Sequence, residues 1–153
     1  MIVEEALVQL LKSGGADPLR QDAAEELAGH IGAGVNARIH GLAIPQSPGT
    51  SDRPKYPAVV YRRVSGPRAH SMTGSSGYAS PVFQFECHAQ KYPTAKAMVN
   101  LVRQVLDGFA GVVGTNPNTV DINGILVDGD DDGYDEGEQV PVCTIDFMVM
   151  HNE

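Results

Sequence analysis

The stretch Thr94 to Phe109, TAKAMVNLVRQVLDGF, constrains the fold of this chain more than any other. Met98, Leu101, Val102, Val105, Leu106 and Phe109 form one stripe of a 3.6-residue period, and Lys96, Asn100, Arg103, Gln104 and Asp107 take the other side. Thr94, following Pro93, offers an N-cap, and Gly108 and Gly111 supply stop signals. About four turns of helix therefore carry an apolar stripe that something must cover. The residues on either side are strand-like, so the expected cover is a sheet.

Around this helix the pattern places two further helical segments. Val3 to Lys12 puts Val3, Ala6, Leu7, Leu10 and Leu11 on one side, with Glu4 and Glu5 near its N-terminal dipole and Gly14-Gly15 as its stop. Asp17 to Ala33 repeats Ala24, Leu27, Ala28 and Ile31 at helical spacing, with a start signal at Asp22 to Glu25. Strands are expected at Val35 to Leu42, Ala58 to Ser65, Val82 to Ala89, Thr119 to Val127 and Val140 to His151. Phe83, Phe85 and Cys87 alternate against Gln84, Glu86 and His88, and pair antiparallel with Ala58 to Ser65. Three polar or Gly/Pro-rich stretches, 45–57, 66–81 and 128–138, read as long loops, and 111–118 as a turn-rich connection. Hairpins join most strands. The expected fold is α+β: a mostly antiparallel sheet of four to five strands packed against two or three helices, in a single domain over 1–153.

Composition narrows the function classes. A chain of 153 residues is long enough to bury its own core. The net charge of −8 argues against a duplex nucleic-acid binder, which needs a basic face. No apolar run approaches the roughly 20 residues that cross a bilayer, and the N-terminus lacks a basic leader with a cleavage site. A soluble cytosolic protein is expected. Cys87 and Cys143, each within a strand-like run, read as buried free thiols in preference to a disulfide.

Reactive motifs are scarce. Asp128, Asp130 and Asp132, followed by Gly133, match the first half of an EF-hand loop. The second half fails, because Gln139 stands where the bidentate Glu belongs and strands flank the segment; a solvated acidic loop is the preferred reading. His30, His40, His70, His88 and His151 show no zinc spacing. Ser71, Ser75 and Ser76 lie near His70 without a nucleophile elbow. No enzyme, cofactor or metal site is expected. Arg62, Arg63 and Arg68 form a small basic cluster at a strand end; one reading is a solvated face, the other a subunit contact that recognises the acidic segment of a neighbouring copy.

The residue order IVEEALVQLLKS, ARIHGLAIPQ, YPAVVYRRVSGPR, VFQFECHAQKYPTAKAMVNLVRQVLDGFAG and VCTIDFMVMHNE resembles the tail-completion, or tail terminator, family of long-tailed bacteriophages and phage-like gene transfer particles. The resemblance spans nearly the whole chain and rests on pattern, with no reactive motif in it. It implies a small α+β subunit without catalysis, forming a homo-oligomeric ring, a hexamer, at the head-proximal end of the tail tube. Such a ring ends tube polymerisation and presents a head-tail joining surface. The implied partners are further copies of the chain, the tail tube protein and the head-tail connector protein, with DNA passing through unbound and no membrane involved. The implied location is the virion tail, assembled in the host bacterial cytoplasm. Within that reading, Arg62, Arg63, Arg68, His70 and Tyr78 are subunit-interface candidates. Asp128, Asp130, Asp131, Asp132, Asp135, Glu136 and Glu138 are candidates to face the channel or the next ring. The alternatives are a connector-side joining or minor tail protein and, from another class, a small calcium- or ligand-binding domain using the acidic segment.

Overall fold

The structure, a computed structural model, describes residues 2–34, 37–44 and 56–153. The expected strand residues Val35 and Asn36, and most of the expected 45–57 loop, lie outside the described residues.

Helix α1 (Val3–Ser13) buries Ala6, Leu7, Leu10 and Leu11. The Ile2 amide donates to the Glu5 carboxylate at 3.2 Å, and the chain leaves through Gly14 in the left-handed region, φ 72°, whose amide donates to the Leu10 carbonyl at 2.7 Å. Helix α2 (Pro18–Ile31) begins earlier than the signal at Asp22 suggests. Asp17 is its N-cap, accepting from the Leu19 amide at 3.0 Å, and Pro18 occupies the first turn, where no amide is needed. Helix α3 (Tyr92–Leu106) likewise extends back through Pro93, so Thr94 lies inside the first turn and Lys91 is the N-cap. It ends at Leu106, three residues short of Phe109, because Asp107 turns extended and Gly108 adopts φ 73°.

The strands are β1 (Ile39–Gly41), β2 (Ala58–Ser65), β3 (Arg68–Ser71), β4 (Gly74–Ala79), β5 (Val82–His88), β6 (Gly111–Thr115), β7 (Asn118–Asp135) and β8 (Val140–Asn152). They form one eight-stranded sheet ordered β1-β2-β5-β8-β4-β3, with β7 bridging β8 and β6. The sheet is thus larger than the expected four to five strands, and it is mixed, because β1 runs parallel to β2 while every other pair is antiparallel. The α+β class stands.

The extra strands come from segments expected as loops. Residues 66–81 fold into the β3–β4 hairpin, which prolongs the β2–β5 pair past Pro67 and Pro81. Their weak strand propensity is offset by hydroxyl bonds across the hairpin, Ser76 Oγ to the Ala69 carbonyl (2.9 Å) and Ser71 Oγ to the Gly74 carbonyl (3.1 Å). The 111–118 connection contains β6. The acidic segment continues β7 to Asp135, since past the bulge at Asp128 β8 offers a ladder partner to each residue from Gly129 to Asp135. Acidic side chains are tolerated there because an edge strand sends them to solvent. Only Glu136 to Gln139 turn, held by Asp135, whose carboxylate accepts from the Gly137 (3.0 Å) and Glu138 (3.2 Å) amides.

One face of the sheet carries the helices. Val59, Phe83, Phe85, Cys87, Ile122, Ile125, Cys143, Ile145, Phe147 and Val149 meet the buried stripes of α1, α2 and α3 in a single cluster. Phe85 and Phe147 pack edge to face at 5.8 Å. Cys87 and Cys143 are register partners on β5 and β8, both free and fully buried. The opposite face, carrying Val60, Arg62, Gln84, Glu86, His88, Val142, Thr144, Asp146, Met148 and Met150, bears no helix among the described residues.

Candidate functional site

The candidates Arg68, His70 and Tyr78 sit at the β3–β4 end of the sheet, the acidic residues run from its middle to the other end, and Arg62 lies between them on the rung of Gln84, Asp146 and Gly129. Strand β8 measures the separation: β4 pairs with it at His151–Asn152, and the turn before Val140 closes its other end.

Arg62 lies on the open face, with its Nε donating to Gln84 Oε1 at 2.6 Å and its guanidinium 3.8 Å from Glu86. Glu86 in turn meets His88 Nε2 at 3.2 Å. The hydrogen bond from His88 holds the Glu86 carboxyl below its ordinary range, burial opposes this, and the charges of His88 and Arg62 reinforce it. The result is a polar row from β2 across β5. Arg63, one residue on, faces the helix side beyond the helices, opposite Phe83. It lines a groove of about 470 Å³ with Glu4, Asp121, His151 and Glu153. Arg68 Nε donates to Glu153 at 2.8 Å. His70 is exposed opposite Ser75, and Tyr78 is half-buried opposite Asn152. Met72 at the hairpin tip is fully exposed. Arg62 and Arg68 therefore have partners within the chain, whereas Arg63 and His70 face solvent.

At the acidic end, the register splits the carboxylates between faces. Asp131 and Asp135 share the open face with Thr144 and Val140, while Asp130 and Asp132 share the helix side with Ile145 and Cys143. Glu136 and Glu138 lie in the turn, and Asp128 lies at the bulge between Val127 and Gly129. A calcium loop must fold Asp128, Asp130 and Asp132 around one point. An extended strand spaces them along an edge instead, and no group of three or more His, Cys, Asp or Glu able to hold a metal occurs among the described residues.

Asp132 belongs to a cluster that its neighbours in sequence do not reveal. Its carboxylate accepts from the Tyr92 hydroxyl at 2.6 Å and from Lys96 Nζ at 2.9 and 3.0 Å, tying β7 to the first turns of α3. The hydrogen bonds from Tyr92 and then Lys96 lower the Asp132 pKa. The Cys143 thiol beside it is pushed up to about 11, first by burial and then by the Asp132 carboxylate. Sequence reasoning missed this cluster and the pairing of Arg62 with Gln84, although the alternation of Gln84, Glu86 and His88 placed the latter on the correct face. It also missed Arg20, whose Nη1 donates to the carbonyls of Val105 (2.7 Å) and Asp107 (2.9 Å) at the end of α3.

Nothing in these clusters assembles a nucleophile with a base, and the Ser71, Ser75 and Ser76 hydroxyls serve the hairpin itself. The arrangement offers surfaces: a protruding acid-free hairpin, an open sheet face and an acidic strand edge.

No protein-family model and no curated protein matches the chain. Among solved structures, it is similar to a chain in the virion of a native gene transfer agent (GTA) particle, with a TM-score of 0.64 and 18% identity over 99% of this chain and 95% of that one. At that identity the likeness is one of fold, and it extends over nearly the full length of both.

Proposed function

We propose that this protein is a non-enzymatic structural component of a phage-like particle: a tail terminator that forms a ring at the head-proximal end of the tail tube. The observation that carries the reading is the end-to-end fold likeness to a chain of the gene transfer agent virion. The sequence pattern, which resembles tail-completion proteins, agrees with it. In this reading the ring ends tube polymerisation and offers a joining surface to the head connector, and it is a hexamer as in the family it resembles.

The charge distribution suits a conduit for DNA. No Lys or Arg follows Arg103, while Asp and Glu recur through Glu153. Each cation on a phosphate adds affinity through counterion release, so an acidic lining lets a polyanion pass without being held. Asp131, Asp135 and Asp146 place carboxylates on the open sheet face, which is the surface we assign to the channel.

Electron microscopy of particles made without this gene tests the reading. Overlong or headless tails beside filled heads are expected. Tails of normal length that fail to join heads would reassign the protein to the connector side, and intact infectious particles would refute a virion role.

A further inference from the structure

Unpaired backbone and charge are distributed in a way that the fold of one subunit does not require. From Asp128 to Asp135, β7 pairs only with β8, and among the described residues no strand covers its other edge. Strand β6 stops at the Gly111–Ile122 pair. The chain leaving α3 covers the next positions: the Gly108 amide donates to the Ile125 carbonyl (2.7 Å), the Ile125 amide to the Phe109 carbonyl (2.9 Å) and the Val127 amide to the Asp107 carboxylate (3.3 Å). Beyond Val127 that cover ends. The Asp132 amide donates to the adjacent Asp131 carboxylate at 2.9 Å instead of to a neighbouring strand. An open strand edge is a template for another strand.

Strand β3 is the second such edge, paired among the described residues only with β4. It belongs to the stretch between Asp52 and Glu86, which contains no acidic residue and carries Arg62, Arg63, Arg68 and His70. The two edges lie at opposite ends of β8, whose 13 residues span about 43 Å at strand rise. Like charges directly opposite each other destabilise a strand pair. Pairing the Asp128–Asp135 edges of two copies with each other is therefore disfavoured, whereas an acid-free strand meets no such repulsion.

We infer that β3 of one copy adds as a strand to the Asp128–Asp135 edge of β7 in the next copy, bringing Arg68 and His70 against its carboxylates. The incoming strand replaces Asp131 as acceptor for the Asp132 amide. Arg68, half-exposed while paired with Glu153, keeps donors for a second carboxylate. Because the two surfaces differ and lie at opposite ends, the contact is head-to-tail, and head-to-tail contacts generate rings when their rotation closes. The inference rests on the ring proposed above and states how that ring is built.

Disulfide trapping in the full-length protein, within particles, tests it. Ser71→Cys is combined with Asp128→Cys or Asp130→Cys; these positions are exposed, and the native Cys87 and Cys143 are fully buried and do not compete. Mild oxidation is expected to yield a ladder of linked subunits ending at the ring's copy number, while each single-cysteine variant stays unlinked. Dimers from single-cysteine variants would indicate a two-fold contact and overturn the inference. So would unlinked double variants in particles that carry the protein at the tail end, a result that leaves the ring itself standing. A protein absent from particles and unlinked in solution overturns both. In parallel, Arg68→Glu and Asp130→Arg should each reduce incorporation at least ten-fold, and their combination should restore it; a combination no better than either single variant counts against the contact.

Discussion

Arg20 shows how one side chain on α2 secures the end of another helix. Its guanidinium caps carbonyls at the α3 terminus, stacks over the Phe109 ring at 5.8 Å and lies 3.5 Å from Asp17. Charged hydrogen bonds of this kind each contribute about 1.5–3 kcal/mol. Arg20→Ala should therefore lower unfolding stability by about 2 kcal/mol in denaturant titration, with the slope unchanged. The two thiols give a second test at this scale. Burial raises Cys87 strongly, and Cys143 is pushed up from 9.0 to about 11. The folded state therefore holds thiol protons that the unfolded chain releases. Their stabilising contribution is complete below pH 9 and declines as pH rises toward 11. Replacing both cysteines with alanine should flatten that alkaline decline, measured by thermal unfolding across pH 8 to 11.

At the scale of elements, the Tyr92–Lys96–Asp132 cluster clamps an edge strand to a helix. Because the folded Asp132 pKa is lowered, its contribution is present above the ordinary value of 3.8 and is lost as pH falls through the folded value. Asp132→Asn should therefore reduce the dependence of stability on pH below about 4 while leaving the neutral-pH fold intact. Hydrogen exchange should show faster opening of β7 from Asp130 to Asp135 in that variant. The same element carries the proposed subunit contact, so strand order and assembly are coupled there. The β3–β4 hairpin differs: it is tied to the sheet mainly through Tyr78–Ala79 against Asn152–His151 and the Arg68–Glu153 pair.

For the whole molecule, the proposed assembly gives charge segregation the task of setting how copies meet. The proposed contact between the Arg68 end and the Asp130 edge joins exposed residues, and the Debye length shrinks from about 10 Å at 0.1 M salt to 3 Å at 1 M. Assembly in solution, followed by sedimentation, should weaken as salt rises; assembly that strengthens with salt would point to the apolar positions Met148, Met150 and Leu126 of the open face instead.

The sequence by itself determined the three helices and the central strands, because each carries its own period: Met98 to Leu106 at helical spacing, Phe83 to Cys87 at two. It also placed Cys87 and Cys143 inside the core. Only the tertiary structure decided the rest. Residues 66–81 and 128–135 have the composition of loops, and they become strands because β3 and β4 pair with each other and β8 offers partners to β4 and β7, hydrogen bonds that outweigh weak local preference. The acidic run then acquires two faces from the pleat, and Asp132 meets Lys96 across 36 residues of chain. Such contacts depend on register, and register is a property of the pair of strands, not of either one alone.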